Sequence, residues 1–169
     1  MRSKARLLGH PIHQMLVVFP LGLLATAVVF DLIFLFTGRE VMASVSYWMM
    51  AAGIVGAVLA APFGFIDWLA IPKGTRARRI GAMHGGGNLV VAALFVVSWL
   101  GREAEGLPAL GNMVWSFAGA GLALVTAWLG GELVDRLGVG VDEGANVDAP
   151  SSLIEDHARP HGRSTGAAH

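Results

Sequence analysis

Few ionisable residues in this chain lie against apolar sequence, and those that do form a pattern. His10-Pro11-Ile12-His13 puts two imidazoles three residues apart at the start of an apolar run. If Pro11 opens a helix, where its missing N–H is not needed, both rings point the same way. His84 lies inside another apolar run, about one turn past Arg78 and Arg79. An ionisable group at that depth is costly and marks a functional position by default. Gly85, Gly86 and Gly87 follow it, and Asn88 sits one turn further in on the same face. Three successive glycines weaken a helix by about a kilocalorie each relative to alanine, so that backbone needs a close neighbour, either another helix or a flat cofactor.

Carboxylates stand at the ends of two further runs: Asp67 in Phe63-Gly64-Phe65-Ile66-Asp67-Trp68, and Glu132, followed by Asp135, after Trp128-Leu129-Gly130-Gly131. Two neutral imidazoles from different helices can ligate haem iron. Imidazole with carboxylate suits zinc, iron or manganese. His13 with His84 is the expected pair of cofactor or metal ligands, with His10 beside them. Asp67, Asn88 and Glu132 would orient these rings through hydrogen bonds. The competing reading pairs each carboxylate with a nearby arginine. Asp31 stands apart, roughly 24 Å along its helix from Met15, within reach of Arg39, and is the one carboxylate on that half that a proton relay could use.

Other chemistries are excluded. The chain has no cysteine, so disulfides, thiolate metal sites and covalent haem attachment are out. No Gly-x-Ser-x-Gly elbow, P-loop or HExxH motif appears. With 12 Lys+Arg against 12 Asp+Glu, no global basic field exists to hold nucleic acid.

What must position the histidines is a membrane bundle. Of 169 residues 54% are hydrophobic and 14% charged, with a mean hydropathy of +0.61, against about a quarter charged in soluble domains. Residues 15–36 are apolar except for Asp31, and 42–66, 80–100 and 110–129 carry no charge. Each run approaches the ~20 residues that cross a bilayer as helix. The first is longer than a signal-peptide core and reads as a permanent anchor. Short connectors at 37–41 and 101–109 make consecutive helices antiparallel neighbours, so the expected fold is all-α, a four-helix transmembrane bundle of up-down topology over 1–136. Residues 137–169, rich in Gly, Asp, Ser and Pro, read as a disordered cytoplasmic tail.

Four crossings put both termini on one side with the 67–79 connector. Eight basic residues (Arg2, Lys4, Arg6, Lys73, Arg76, Arg78, Arg79 and Arg136) lie there, against Arg39 and Arg102 on the other. The positive-inside rule makes that side cytoplasmic, and the topology gathers His10, His13, Asp67, His84 and Glu132 in one layer near it. Gly56, Ala60 and Gly64, and Gly81 with Gly85, read as helix-packing faces.

These motifs together resemble the bacterial membrane family known as domain of unknown function 2231. The resemblance runs from about Gly9 to Val141. It is carried by His10-Pro11-Ile12-His13, Phe19-Pro20-Leu21-Gly22 with Asp31, Phe65-Ile66-Asp67-Trp68-Leu69-Ala70-Ile71-Pro72, Gly74-Thr75-Arg76-Ala77, His84 with Asn88, Trp128-Leu129-Gly130-Gly131 and Gly138-Val139-Gly140-Val141. It implies a multi-pass protein of the bacterial inner membrane and brings no established activity. Some relatives are joined to Rieske-type or cytochrome-type modules, which implies a redox setting by association. The leading expectation is therefore a redox-associated membrane component, b-type haem-binding or quinone-linked, in contact with the lipid bilayer, with a respiratory or redox membrane partner and further copies of itself. The alternatives are a non-haem metal site of three histidines with Asp67 or Glu132, and a non-catalytic scaffold or transport accessory packing through small-residue faces.

Overall fold

The computed structural model describes residues 1–155. A two-residue antiparallel ladder, β1 (Arg6–Leu7) and β2 (His10–Pro11), precedes the first span. Its tight turn puts Leu8 and Gly9 at φ 50 and 86°, a left-handed conformation that glycine adopts without cost. Pro11 is extended and caps the first helix, α1 (Ile12–Leu16), which passes through Val17 into α2 (Val18–Thr37). The break has a covalent cause: Pro20 has no N–H to give the carbonyl of Leu16, four residues back.

The next span, α3 (Glu40–Ala70), ends ahead of Pro72, as the restricted backbone before a proline requires. It runs a turn beyond the apolar sequence, so Asp67 lies within the helix and does not close it. The third, α4 (Arg76–Leu100), begins earlier than the apolar run because the Thr75 hydroxyl accepts the Arg78 N–H at 3.1 Å, an N-cap that composition does not register. His84 is thereby two turns inside its helix. The last span, α5 (Leu110–Gly131), continues into a π-helical turn over Glu132–Arg136, where the Leu137 N–H reaches the Glu132 carbonyl at 3.1 Å. Among the described residues four helices are long and apolar enough to cross a membrane. A short helix, α6 (Ser152–Glu155), follows in the tail.

Helix α2 packs along α3 and α4 along α5, and the two hairpins meet chiefly through α3 against α4 and more lightly through α2 against α5. Large apolar side chains point outward: Phe36, Leu100, Leu110 and Leu124 are all at least two-thirds exposed. The interior is small and partly polar, with Ala27, Met50, Phe95 and Met113 beside Asp31, Ser46, Ser98, Ser116 and Thr126, all buried. This inversion of the soluble pattern is what lipid permits, since tails solvate leucine while polar groups must find partners inside.

The first part of the tail docks on the N-terminus. The Met1 ammonium donates to the Gly138 carbonyl and Gly140 N–H to the Met1 carbonyl, both at 2.9 Å. Arg2 pairs with Asp142, and the Ser152 hydroxyl donates to the Leu8 carbonyl at 3.2 Å. Residues 156–169, the rest of the segment expected to be disordered, lie outside the described residues.

The Arg2 hydrogen bond, helped by the Gly144 N–H, holds the Asp142 carboxyl below its ordinary pKa. A group whose folded pKa is depressed favours the docked arrangement above its ordinary value and loses that preference as pH falls through the depressed one. Amide exchange at Gly140 and Gly144, corrected for intrinsic rate, is expected to accelerate on acidification below the ordinary carboxylate range. Asp142→Asn should remove that dependence. Equal profiles in the two proteins would mean that this pair does not hold the tail.

Candidate functional site

His13 and His84 are each held in one orientation by a helix carbonyl. His13 Nδ1 donates to Ala60 O of α3 at 3.0 Å, and His84 Nδ1 donates to Thr126 O of α5 at 2.8 Å. A carbonyl only accepts, so each Nδ1 carries a proton, and in the neutral form each ring presents its Nε2 lone pair. Glycine makes room for both rings. A Cβ on Gly64 would meet the His13 ring at 2.7 Å, and one on Gly130 would meet His84 at 3.0 Å.

Asn88 completes the second ring's surroundings. Its amide nitrogen is 3.2 Å from His84 Nε2, and its carbonyl accepts the Thr126 hydroxyl at 2.9 Å. The His84 tautomer fixes the amide's direction, because the opposite flip would set an oxygen against the Nε2 lone pair. Both histidines are half-buried while Asn88 is exposed on the bundle surface. The arrangement can coordinate an electrophile or accept a hydrogen bond at two Nε2 atoms. Here the nitrogen facing the carbonyl fixes the tautomer, as it does in histidines that bind metals.

The other residues expected in this layer are engaged elsewhere. His10 is exposed, and its Nε2 lies 3.3 Å from the Ser152 hydroxyl, away from Asp67 and Glu132. Asp67 accepts the Ser3 hydroxyl at 2.6 Å and the Lys4 and Ala5 N–H groups at 2.7 and 3.2 Å, so it anchors the N-terminal segment to α3. Glu132 pairs with Arg76 at 2.6 Å. Among the described residues no three His, Asp or Glu side chains converge as a metal site. The expected set of three histidines with a carboxylate is therefore not assembled, because three of its members are taken by local partners. Of the glycines after His84, only Gly87 is in close contact, under Thr126 Cγ2. A Cβ on Gly85 or Gly86 would meet nothing within 4 Å.

Asp31 lies at the opposite end and pairs with Arg102 in place of Arg39. Arg102 Nη1 donates to Oδ1 at 2.6 Å and Nη2 to Oδ2 at 2.8 Å, a bidentate fork. Ser98 and Ser116 take further guanidinium protons at 2.9 and 3.0 Å, with Ser46 at 3.5 Å. Side chains from all four spans or their ends thus meet around one buried ion pair. Sequence reasoning placed Arg102 in the 101–109 connector, where the structure also has it just past α4, and missed its pairing with Asp31. The available signal was its spacing: Arg102 follows His84 by 18 residues, as Asp31 follows His13.

Four apolar helices around a small polar interior define a multi-pass membrane protein. The chain belongs to the family of predicted membrane proteins DUF2231, which matches residues 9–143. No curated protein and no solved structure is similar to it.

Proposed function

We propose that this protein is a redox-linked component of a bacterial inner membrane in which His13 and His84 act together. The end that carries them and both chain termini faces the cytoplasm. The observation that carries this reading is the matched tautomer: two imidazoles from different helices, each anchored through Nδ1, present two Nε2 lone pairs at the same end of the bundle. Such a pair would hold the iron of a b-type haem, which would supply one-electron chemistry. It equally suits the two hydroxyls of a quinol, which donate hydrogen bonds to it. Asn88, now bonded to His84 Nε2, is the group that either ligand would displace or share.

Protein purified from haem-supplied membranes is expected to show a Soret band and the split visible bands of a low-spin bis-imidazole haem. A colourless protein whose His13 and His84 ring signals shift on adding a quinol would assign the quinol form. A colourless protein with no quinol response would overturn the redox reading. In that case the reading supported by the outer surface is a scaffold: Gly22, Gly85, Gly86 and Gly121 have open space where a Cβ would stand, leaving room for the close approach of another helix.

A further inference from the structure

The two hairpins repeat one another. A shift of 71 residues carries His13 onto His84, Leu23 and Leu24 onto Leu94 and Phe95, and Asp31 onto Arg102. A shift of 66 carries Gly53, Ala60, Gly64 and Gly74 onto Gly119, Thr126, Gly130 and Gly140.

The contacts obey the same two shifts. In each hairpin a histidine of the first helix donates to a carbonyl of the second and lies over the glycine four residues further on. A Cβ on Gly53 would strike Leu24 and Leu23, and one on Gly119 would meet Phe95 and Leu94. Gly74 and Gly140, just after each hairpin, share a left-handed backbone at φ 80 and 81°. Met1 is bonded to Gly138 and Gly140, so the end of the second hairpin meets the start of the first, as the 71–75 connector joins the end of the first to the start of the second. Helices α2 and α4 run in one direction and α3 and α5 in the other. The operation relating the copies is therefore a half-turn about an axis along the bundle, as in transporters built from parallel repeats.

We propose that the chain is a tandem duplicate of one helical hairpin, and that Asp31 and Arg102, at equivalent positions facing each other across the axis, are the residues by which its two copies recognise one another. On a two-fold axis each position meets its own mate. Two first hairpins from separate chains would therefore bring Asp31 against Asp31, and two second hairpins Arg102 against Arg102. Each of these like-charge contacts would be buried and unpaired, whereas the first hairpin against the second is neutral and forked. The same pair that closes the bundle thus discriminates against pairing of like hairpins from separate copies.

A half-turn also leaves the pair's geometry unchanged when its ends are exchanged, since it swaps the two backbone positions and both Cβ directions. The test follows from that. Asp31→Arg alone and Arg102→Asp alone should each cut the yield of monodisperse protein in detergent by about tenfold or more, as a buried like-charge pair predicts. The double exchange Asp31→Arg with Arg102→Asp should return to within about threefold of the parent, the residual loss reflecting that Ser98 and Ser116 both belong to the second hairpin. A double variant no better than the singles would overturn the recognition role. A second protein tests the duplication itself: the full chain opened between Pro72 and Lys73 and closed by joining His169 to Met1. It should insert and unfold within a few degrees of the parent. Failure to insert, or an unfolding transition split in two, would overturn the duplication.

Discussion

Replacing Arg102 with alanine is expected to destabilise the bundle by about 3–5 kcal/mol, the cost of leaving one member of a buried pair behind. Arg102 is 7% and Asp31 0% exposed. Without the fork, Asp31 keeps among the described residues only the Ser116 hydroxyl, at 3.1 Å, against the expense of a carboxylate in a medium that cannot solvate it. Asp31→Ala should cost a similar amount for the mirrored reason. Asp31→Leu with Arg102→Met should regain most of the loss, because apolar residues of similar volume carry no desolvation penalty. The ion pair at the other end gives the contrast. Arg76 is half exposed and its pair with Glu132 lies at the helix ends, so Arg76→Ala should cost less than about 1 kcal/mol. Unfolding in detergent, followed by tryptophan fluorescence against added denaturant, reads all five proteins. An Arg102→Ala loss no larger than that of Arg76→Ala would show that the buried fork is not what holds the four spans together.

The spans were legible because lipid imposes one requirement on every residue of a crossing helix, and a run of about 20 apolar residues meets it whatever its order. The helix ends were not, because single side chains set them: the Thr75 hydroxyl draws α4 back to Arg76, and Asp67, used by Ser3 and two backbone N–H groups, belongs to a helix that outlasts its apolar sequence. The pairing of His13 with His84 could be guessed from depth. Their anchoring could not, because Ala60 and Thr126 contribute carbonyls that every residue possesses.

The repeat is hidden for a related reason. Along the first helices of the two hairpins, His13 with His84 and Leu23 with Leu94 are among the few matches, while the second helices match mainly at glycine and alanine: Gly53 with Gly119, Ala57 with Ala123, Gly64 with Gly130. At the glycines of these pairs a neighbouring side chain needs the space. In a membrane bundle the outer residues need only be apolar, so two copies can diverge there while the contacts that close each hairpin remain. Asp31 and Arg102 mask the relation further, since equivalent positions carry opposite charge. The glycines after His84 misled in the other direction, because Gly85 and Gly86 pack against nothing inside the bundle.

The equivalence of the two histidines decides what their removal should do. His13→Ala and His84→Ala are each expected to abolish binding of the haem or quinol proposed above, with losses of the same order, because each supplies one of two matched Nε2 atoms. Asn88→Ala should weaken binding by about 10–100-fold, as expected for a group that acts through a ligand's orientation. His10→Ala should leave binding unchanged, since its ring reaches Ser152 and neither histidine. A measurement that needs no ligand accompanies these. In the parent protein the ¹⁵N signals of both rings should report protonated Nδ1 and unprotonated Nε2 at neutral pH. Gly64→Ala, whose Cβ would lie 2.7 Å from the His13 ring, should disturb the His13 signals, and Gly130→Ala those of His84. If either ring instead shows protonated Nε2 in the parent, the two lone pairs are not presented together, and the redox reading loses the observation on which it stands.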